Sequence, residues 1–138
     1  MYGTILITLD ATPTDRAIIE HIKPLAKLMG SRVVLLHVAD GWAARRFGSD
    51  AVSEEVDQDT AYLAKIREEF AAAGIPAETT LAFGDPADEI VKWVEGNACD
   101  LVAMSTHGHK GLSDLVLGFT ASRVQHNIGV PVLMLRAA

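Results

Sequence analysis

Residues 4–38 read TILITLDATPTDRAIIEHIKPLAKLMGSRVVLLHV, and this stretch predicts a strand, a helix and a second strand. Its two ends, Thr4–Leu9 and Arg32–Val38, are short runs rich in Ile, Val and Leu, as strands are. Between them, Thr12–Asp15 supplies an N-cap residue, a proline and an acid, which together indicate a helix start. Gly30 is the expected left-handed stop of that helix. The stretch therefore predicts one strand–helix–strand unit.

The same alternation continues to the end of the chain. Further strands are predicted at Ala77–Phe83, Leu101–Met104 and Val130–Leu135, and further helices at Val56–Ala73, Asp85–Gly96 and Ser113–Asn127. We also expect Pro24 to bend the first helix. Because strands that alternate with helices require crossover connections, the expected fold is α/β, an open five-stranded, mostly parallel sheet with helices on both faces. A chain of 138 residues is expected to form this sheet as a single domain, 1–138.

Composition and charge narrow the possible partners. The net charge is −6 and the pI about 5.2, and Arg45–Arg46 is the densest basic spot, so we expect no nucleic-acid partner. The opening residues MYGTILITLD contain neither a basic leader nor a long apolar stretch. We therefore expect no membrane insertion and a cytoplasmic location. The single cysteine, Cys99, precedes an apolar run and is expected to be a buried, inert thiol.

Ligands of open α/β sheets bind beyond the carboxyl ends of the strands, where the strand order reverses. The loops at that edge are predicted to be Asp10–Thr12, Ala39–Glu55 and Ser105–Phe119. Glycines in the third loop allow close approach of the backbone, and amides at a helix start can bind phosphate oxygens. Tight turns at a strand end would explain the same glycines. The long second loop is expected to become partly ordered when a ligand binds.

Several stretches resemble one known family. The sequence STHGHKGLSDLVLG at 105–118, followed by a helix and VPVLMLR, is similar to the carboxyl-terminal signature of universal stress proteins. LLHVAD at 35–40, GDPADEIVKWVEG at 84–96 and CDLVAMSTHG at 99–108 also match the layout of that family. The resemblance implies a Rossmann-like fold of the adenine nucleotide alpha-hydrolase type. It also implies a stress-response protein that binds ATP, ADP or AMP, with magnesium as a candidate counter-ion, as a sensing or regulatory module.

The nucleotide-binding branch of the family has a loop of glycine, two residues, glycine, nine residues, glycine, then serine or threonine. Gly108 and Gly118 occupy the second and third glycine positions here. Ser105 stands at the first glycine position and Phe119 at the hydroxyl position, although Thr120 offers a hydroxyl one residue later. Two hypotheses follow: a nucleotide-binding module, or a nucleotide-independent dimeric interaction scaffold in which Ser105 and Phe119 close the phosphate site.

The family pattern, transferred position by position, gives a set of expected nucleotide-binding residues. Asp10 would lie near the ribose and adenine, although a turn or helix-capping acid is the alternative for that position. Val38 would line the base pocket, and the residues after the fourth strand would follow the ribose and the phosphates. The full set is Thr8, Leu9, Asp10, Val38, Met104, Ser105, His107, Gly108, Gly118, Phe119 and Thr120.

Metal and catalytic sites are not predicted. His107 and His109 lack a third ligand at a characteristic spacing, so we expect no metal site. No nucleophile has a recognisable base and orienting group, and no catalytic residue is assigned. An ATP-consuming enzyme is the least supported hypothesis, with slow hydrolysis of a bound nucleotide left open.

The predicted final strand suggests a partner. Val130–Leu135 should lie at a sheet edge, where unpaired backbone groups and apolar side chains invite a second strand. The family resemblance also implies dimerisation there. We therefore expect a homodimer through this segment.

Overall fold

Strands and helices alternate along the chain in the computed structural model, which describes residues 1–39, 49–107 and 112–137. The elements follow the order that the sequence predicts. They are β1 (Thr4–Leu9), α1 (Asp15–Met29), β2 (Arg32–Ala39), α2 (Ser49–Ala72), β3 (Ala77–Phe83), α3 (Pro86–Gly96), β4 (Leu101–His107), α4 (Leu112–Asn127) and β5 (Val132–Ala137).

The strands of the described residues form one five-stranded sheet in the order β3-β2-β1-β4-β5. Every pairing in it is parallel. The chain moves outward from β1 through β2 to β3, then crosses to the other side of β1 for β4 and β5. The predicted α/β fold is confirmed, and the strand order reverses between β1 and β4.

The alternation of side chains along β1 divides the core between the two faces of the sheet. Ile5 and Ile7, fully buried, pack with α1 and α2, whereas Leu6 packs with α3 and α4 on the opposite face. Each face is covered by a pair of helices, so the buried strands can be apolar on both sides. The helices contribute Ile18, Ile19, Ile22, Leu63, Ile66 and Phe70 to the first face and Ile90, Val94, Ala121 and Val124 to the second.

Helix α1 begins later than the sequence suggests. Thr12 and Pro13 form a turn whose carbonyls accept hydrogen bonds from Asp15 and Arg16, and the helix starts at Asp15. Its predicted end is confirmed, because Gly30 adopts the left-handed conformation at φ 65°. Pro24 lies inside the helix, and the bend expected there stays a prediction.

Helix α2 extends into the segment that was expected to be a loop. It begins at Ser49 instead of Val56, and it ends at Ala72. Of the predicted loop Ala39–Glu55, residues 40–48 lie outside the described residues.

None of the helices that the structure describes combines the length and the apolar character needed to span a membrane.

The last two strands also differ from their predicted bounds. Strand β4 continues past Met104 to His107, because Ser105 and Thr106 keep their parallel register with Leu135 and Arg136 of β5. Strand β5 is Val132–Ala137, shifted toward the carboxyl end of the predicted segment. Backbone pairing decides these ends, and the polarity of the side chains does not reveal it.

Candidate functional site

A cavity of about 390 Å³ opens at the carboxyl ends of β1, β2 and β4. It lies beside the reversal of strand order between β1 and β4, which is where open α/β sheets place their ligands. Its volume falls within the range of small-molecule sites in proteins. Its walls come from these strand ends, the loop between β1 and α1, and helices α2, α3 and α4.

Most of the residues that the family pattern selects lie around this cavity. Gly108 lies outside the described residues, and so do the side chains of His107 and Phe119. The backbone of His107 ends β4, and Gly118 and Phe119 fall within α4. The selected residues that line the cavity are Thr8, Leu9, Asp10, Val38, Met104, Ser105 and Thr120. The other lining residues are Ala11, Leu36, His37, Ala39, Glu55, Asp59, Pro86 and Ile90.

The loop between β1 and α1 is organised around one buried carboxylate. Asp15 is only 1% exposed. Its Oδ1 accepts a hydrogen bond from the amide of Asp10 at 2.8 Å, and its Oδ2 accepts from the amide of Ala11 at 2.9 Å and the hydroxyl of Tyr62 at 2.7 Å. Two successive loop amides are thereby fixed toward the start of α1, and α2 is joined to them through Tyr62.

The environment of Asp15 alters two protonation equilibria. Burial raises the pKa of the Asp15 carboxyl above its ordinary 3.8, and this effect outweighs the opposite effect of its three donors. Burial also raises the pKa of the Tyr62 hydroxyl, and the hydrogen bond to Asp15 raises it further. Tyr62 therefore stays a neutral donor at physiological pH.

His37 connects strand β1 to helix α2 at the floor of the cavity. Its Nδ1 lies 2.8 Å from the carbonyl oxygen of Leu9, and because a carbonyl only accepts, Nδ1 is the donor. Its Nε2 lies 3.4 Å from Oδ2 of Asp59, and the two side chains are 11% and 13% exposed.

Two buried polar atoms at the cavity have no hydrogen-bond partner among the described residues. They are Oδ2 of Asp59, which faces His37 without forming a hydrogen bond, and Oγ of Ser105. An unsatisfied buried polar atom costs about 1–3 kcal/mol, so such atoms are few in native proteins and call for an explanation. Both atoms belong to residues that line the cavity, where a ligand could satisfy them.

The chemical character of the cavity is mixed. Leu9, Val38 and Met104 offer apolar surface suited to a planar ring, while Asp10 and Asp59 offer carboxylate acceptors for hydroxyl or amino donors. No cluster of three or more His, Cys, Asp or Glu suitable for a metal ion occurs in residues 1–39, 49–107 and 112–137. The arrangement suits an organic ligand with an apolar ring and several hydrogen-bond donors.

Sequence reasoning missed the contribution of α2 to the site. Asp59 lies at helical spacing from Leu63, Ile66 and Phe70, so it continues the apolar stripe of that helix with a charged residue. A charge on the buried stripe was the available signal. Asp15 lies in the first turn of α1, as the sequence predicts, and its carboxylate also accepts hydrogen bonds from two amides of the preceding loop, which the sequence does not reveal.

The burial of Cys99 differs from the prediction. It is partly buried instead of fully buried, and it packs against the core of the second face. Burial raises the pKa of its thiol, and the charge of Asp100 raises it further, which favours the unreactive neutral form.

A parallel sheet that reverses its strand order beside a mixed apolar and polar cavity defines the chain as a Rossmann-like α/β protein with a cavity at the carboxyl ends of its strands. The sequence profile of the Universal stress protein family matches residues 1–136. The chain therefore belongs to the universal stress protein family.

Individual relatives agree with this assignment. Universal stress protein MJ0531 of Methanocaldococcus jannaschii is 30% identical over 144 residues, which cover 99% of this chain and 83% of that protein. The solved structure of the hypothetical protein MJ0577 is 26% identical with a TM-score of 0.84, covering 100% of this chain and 98% of the other.

Two further structures share the fold and contain nucleotides. A universal stress protein in complex with cAMP has a TM-score of 0.74 at 17% identity, over 99% of this chain and 98% of the other. The universal stress protein from Archaeoglobus fulgidus in complex with dAMP has a TM-score of 0.71 at 16% identity, over 96% of this chain and 97% of the other. At these identities the comparison shows the common fold.

Proposed function

We propose that this protein binds an adenine nucleotide in the cavity at the ends of β1, β2 and β4 and acts as a sensing or regulatory module in a stress response. The observation that carries the proposal is the pair of unsatisfied buried atoms, Asp59 Oδ2 and Ser105 Oγ, at a cavity of mixed apolar and polar character beside the strand-order reversal. A nucleoside supplies both a planar apolar ring and hydroxyl donors. The nucleotides bound by the two similar structures, cAMP and dAMP, support an adenine base.

In the proposed complex, the base lies against the apolar side chains of the cavity and the ribose lies near the carboxylates. Leu9, Val38 and Met104 provide the apolar contacts, and Asp10 accepts from the ribose or the base. The phosphates extend toward Thr120 on α4, and the family pattern adds His107, Gly108, Gly118 and Phe119 to this end of the ligand. Whether the physiological ligand is ATP, ADP or AMP, with or without magnesium, depends on this phosphate end.

Isothermal titration of the purified protein with AMP, and with ATP plus magnesium, tests the proposal. We expect a micromolar Kd for at least one of them and weaker binding of GMP, because a different ring edge would face the same walls. A nucleotide that binds only the folded state at 100 times its Kd should raise the free energy of unfolding by about 2.7 kcal/mol. A thermal shift therefore provides an independent measurement.

A matched pair of variants locates the site. Asp10→Ala removes a carboxylate that lines the cavity and should weaken binding, whereas Asp88→Ala removes an exposed carboxylate on α3 and should leave the Kd unchanged. Absence of heat and of a thermal shift with millimolar nucleotide would refute nucleotide binding. The protein would then be the interaction scaffold that the sequence left as the alternative.

We also propose that two copies pair through the final strand, predicted as Val130–Leu135. Strand β5 is at the edge of the sheet, and Met134 on it is 39% exposed, which supports an edge that accepts a second strand. Light scattering at micromolar concentration should give twice the 14.8 kDa chain mass, and Met134→Lys should shift the mass toward the monomer. A monomeric wild-type protein would contradict dimerisation without affecting the nucleotide proposal.

A further inference from the structure

Two energetically costly features occur together in the loop between β1 and α1. Ala11 has φ 62°, a left-handed conformation that side chains with a Cβ rarely adopt. Asp15, four residues later, is a carboxylate with 1% exposure, and burial of such a group is unfavourable even when it accepts hydrogen bonds. Backbone strain that is held in place by surrounding contacts clusters at functional sites.

The contacts show what the two features achieve together. The amides of Asp10 and Ala11 both donate to Asp15, which holds the strained loop in one conformation. Asp10 and Ala11 also line the cavity. The loop that Asp15 fixes is therefore a wall of the proposed nucleotide site, although Asp15 itself does not line the cavity.

Helix α2 participates through Tyr62. The Tyr62 hydroxyl donates to the same Asp15 oxygen that accepts from Ala11, at 2.7 Å, across 47 positions of sequence. One turn earlier on α2, Asp59 lines the cavity. Since Asp59 and Tyr62 are three residues apart, they lie on the same side of the helix. The hydrogen bond from Tyr62 thus connects the wall formed by α2 to the wall formed by the β1–α1 loop.

We propose that Asp15 and Tyr62 are positioning residues for nucleotide binding, which hold the β1–α1 loop and helix α2 in the arrangement that fits the ligand. This inference rests on the proposed function. A ligand that contacts both walls binds more tightly when they are already in place, because binding then does not have to order them. Loss of the link should reduce affinity without any loss of a ligand contact.

The test measures the Kd of AMP, and separately the thermal midpoint, for three variants. Tyr62→Phe removes only the hydroxyl, and loss of one such hydrogen bond should raise the Kd about threefold to tenfold. Tyr2→Phe is the matched control, because Tyr2 precedes the amino end of β1, opposite the end where the cavity lies. The Kd of this variant should equal that of the wild type.

Ala11→Gly separates positioning from general stability. Glycine adopts the left-handed conformation without strain but also frees the loop to leave it. We expect an unchanged or higher thermal midpoint together with a higher Kd, a combination that a merely structural role of the loop would not produce.

The outcomes distinguish this proposal from the one on which it rests. If the wild type binds AMP and both Tyr62→Phe and Ala11→Gly bind it equally well, the positioning role is refuted and nucleotide binding stands. If the wild type binds neither AMP nor ATP, both proposals are refuted. A raised Kd in both variants, with an unchanged Kd in Tyr2→Phe, supports the positioning role.

Discussion

The contact between His37 and Asp59 should contribute measurably to stability, and a double-mutant cycle of His37→Ala and Asp59→Ala tests this. The atoms His37 Nε2 and Asp59 Oδ2 lie 3.4 Å apart, and because both side chains are largely buried, solvent screens their attraction only weakly. Desolvation of two largely buried groups opposes this attraction. We expect a net coupling free energy of about 1–3 kcal/mol, within the range for residues in direct contact.

Urea unfolding of the wild type, the two single variants and the double variant provides the assay. The matched comparison is the cycle of Arg16→Ala and Glu20→Ala. That pair is closer, at 2.9 Å, but its side chains are 47% and 55% exposed, so its coupling should be only about 0.3–0.5 kcal/mol. A buried pair that couples no more strongly than this exposed pair would refute the argument that burial outweighs distance here.

Three further predictions concern the fold and its pH dependence. Phe70→Ala, at a fully buried position, should lower the free energy of unfolding by about 3–5 kcal/mol in urea titrations. Leu28→Ala, at a position 82% exposed, should change it by no more than about 0.5 kcal/mol. Similar losses in the two variants would contradict the assignment of Phe70 to the core. Asp85→Ala removes the N-cap of α3, whose side chain accepts from the third helical amide at 3.0 Å, and should cost about 1 kcal/mol; an unchanged urea midpoint would argue against the cap. Because burial raises the pKa of Asp15 in the folded state above 3.8, its ionised form costs stability at neutral pH, and this cost disappears as the pH falls toward 3.8. The free energy of unfolding of the wild type should therefore increase relative to that of Asp15→Asn as the pH falls. A difference that is constant with pH would show that Asp15 has the same pKa in the folded and unfolded states.

The order of elements could be predicted because each element is marked by local chemistry. Gly30 ends α1, and Asp85 followed by Pro86 begins α3, and both marks depend only on residues close in sequence. The ends of β4 and β5 could not be predicted in this way. Ser105 continues β4 because Leu135 lies beside it in the parallel register, and a register between distant segments leaves no local mark.

The site was predictable to the extent that it follows from the sheet. Asp10, Val38 and Ser105 each lie at or just beyond the end of a strand, so the topology alone brings them together. Asp59 comes from a helix, and its place at the cavity depends on how α2 packs across β2 and β3. Helix packing is decided by side chains from many parts of the chain, which is why the sequence did not reveal this wall.

The amino and carboxyl ends of the sheet differ in whether their buried polar groups have hydrogen-bond partners. At the amino edge, the buried hydroxyl of Ser31 donates to the carbonyl of Tyr2, and Asp100 accepts from the amide of Thr4 at 2.9 Å. At the carboxyl edge, Asp59 and Ser105 hold the unsatisfied buried atoms of the described residues. The same backbone and the same helices build both ends of the sheet, so folding alone can satisfy buried polar groups, as it does for Ser31 and Asp100 at the amino end. The cost retained at the carboxyl end agrees with the ligand site proposed there.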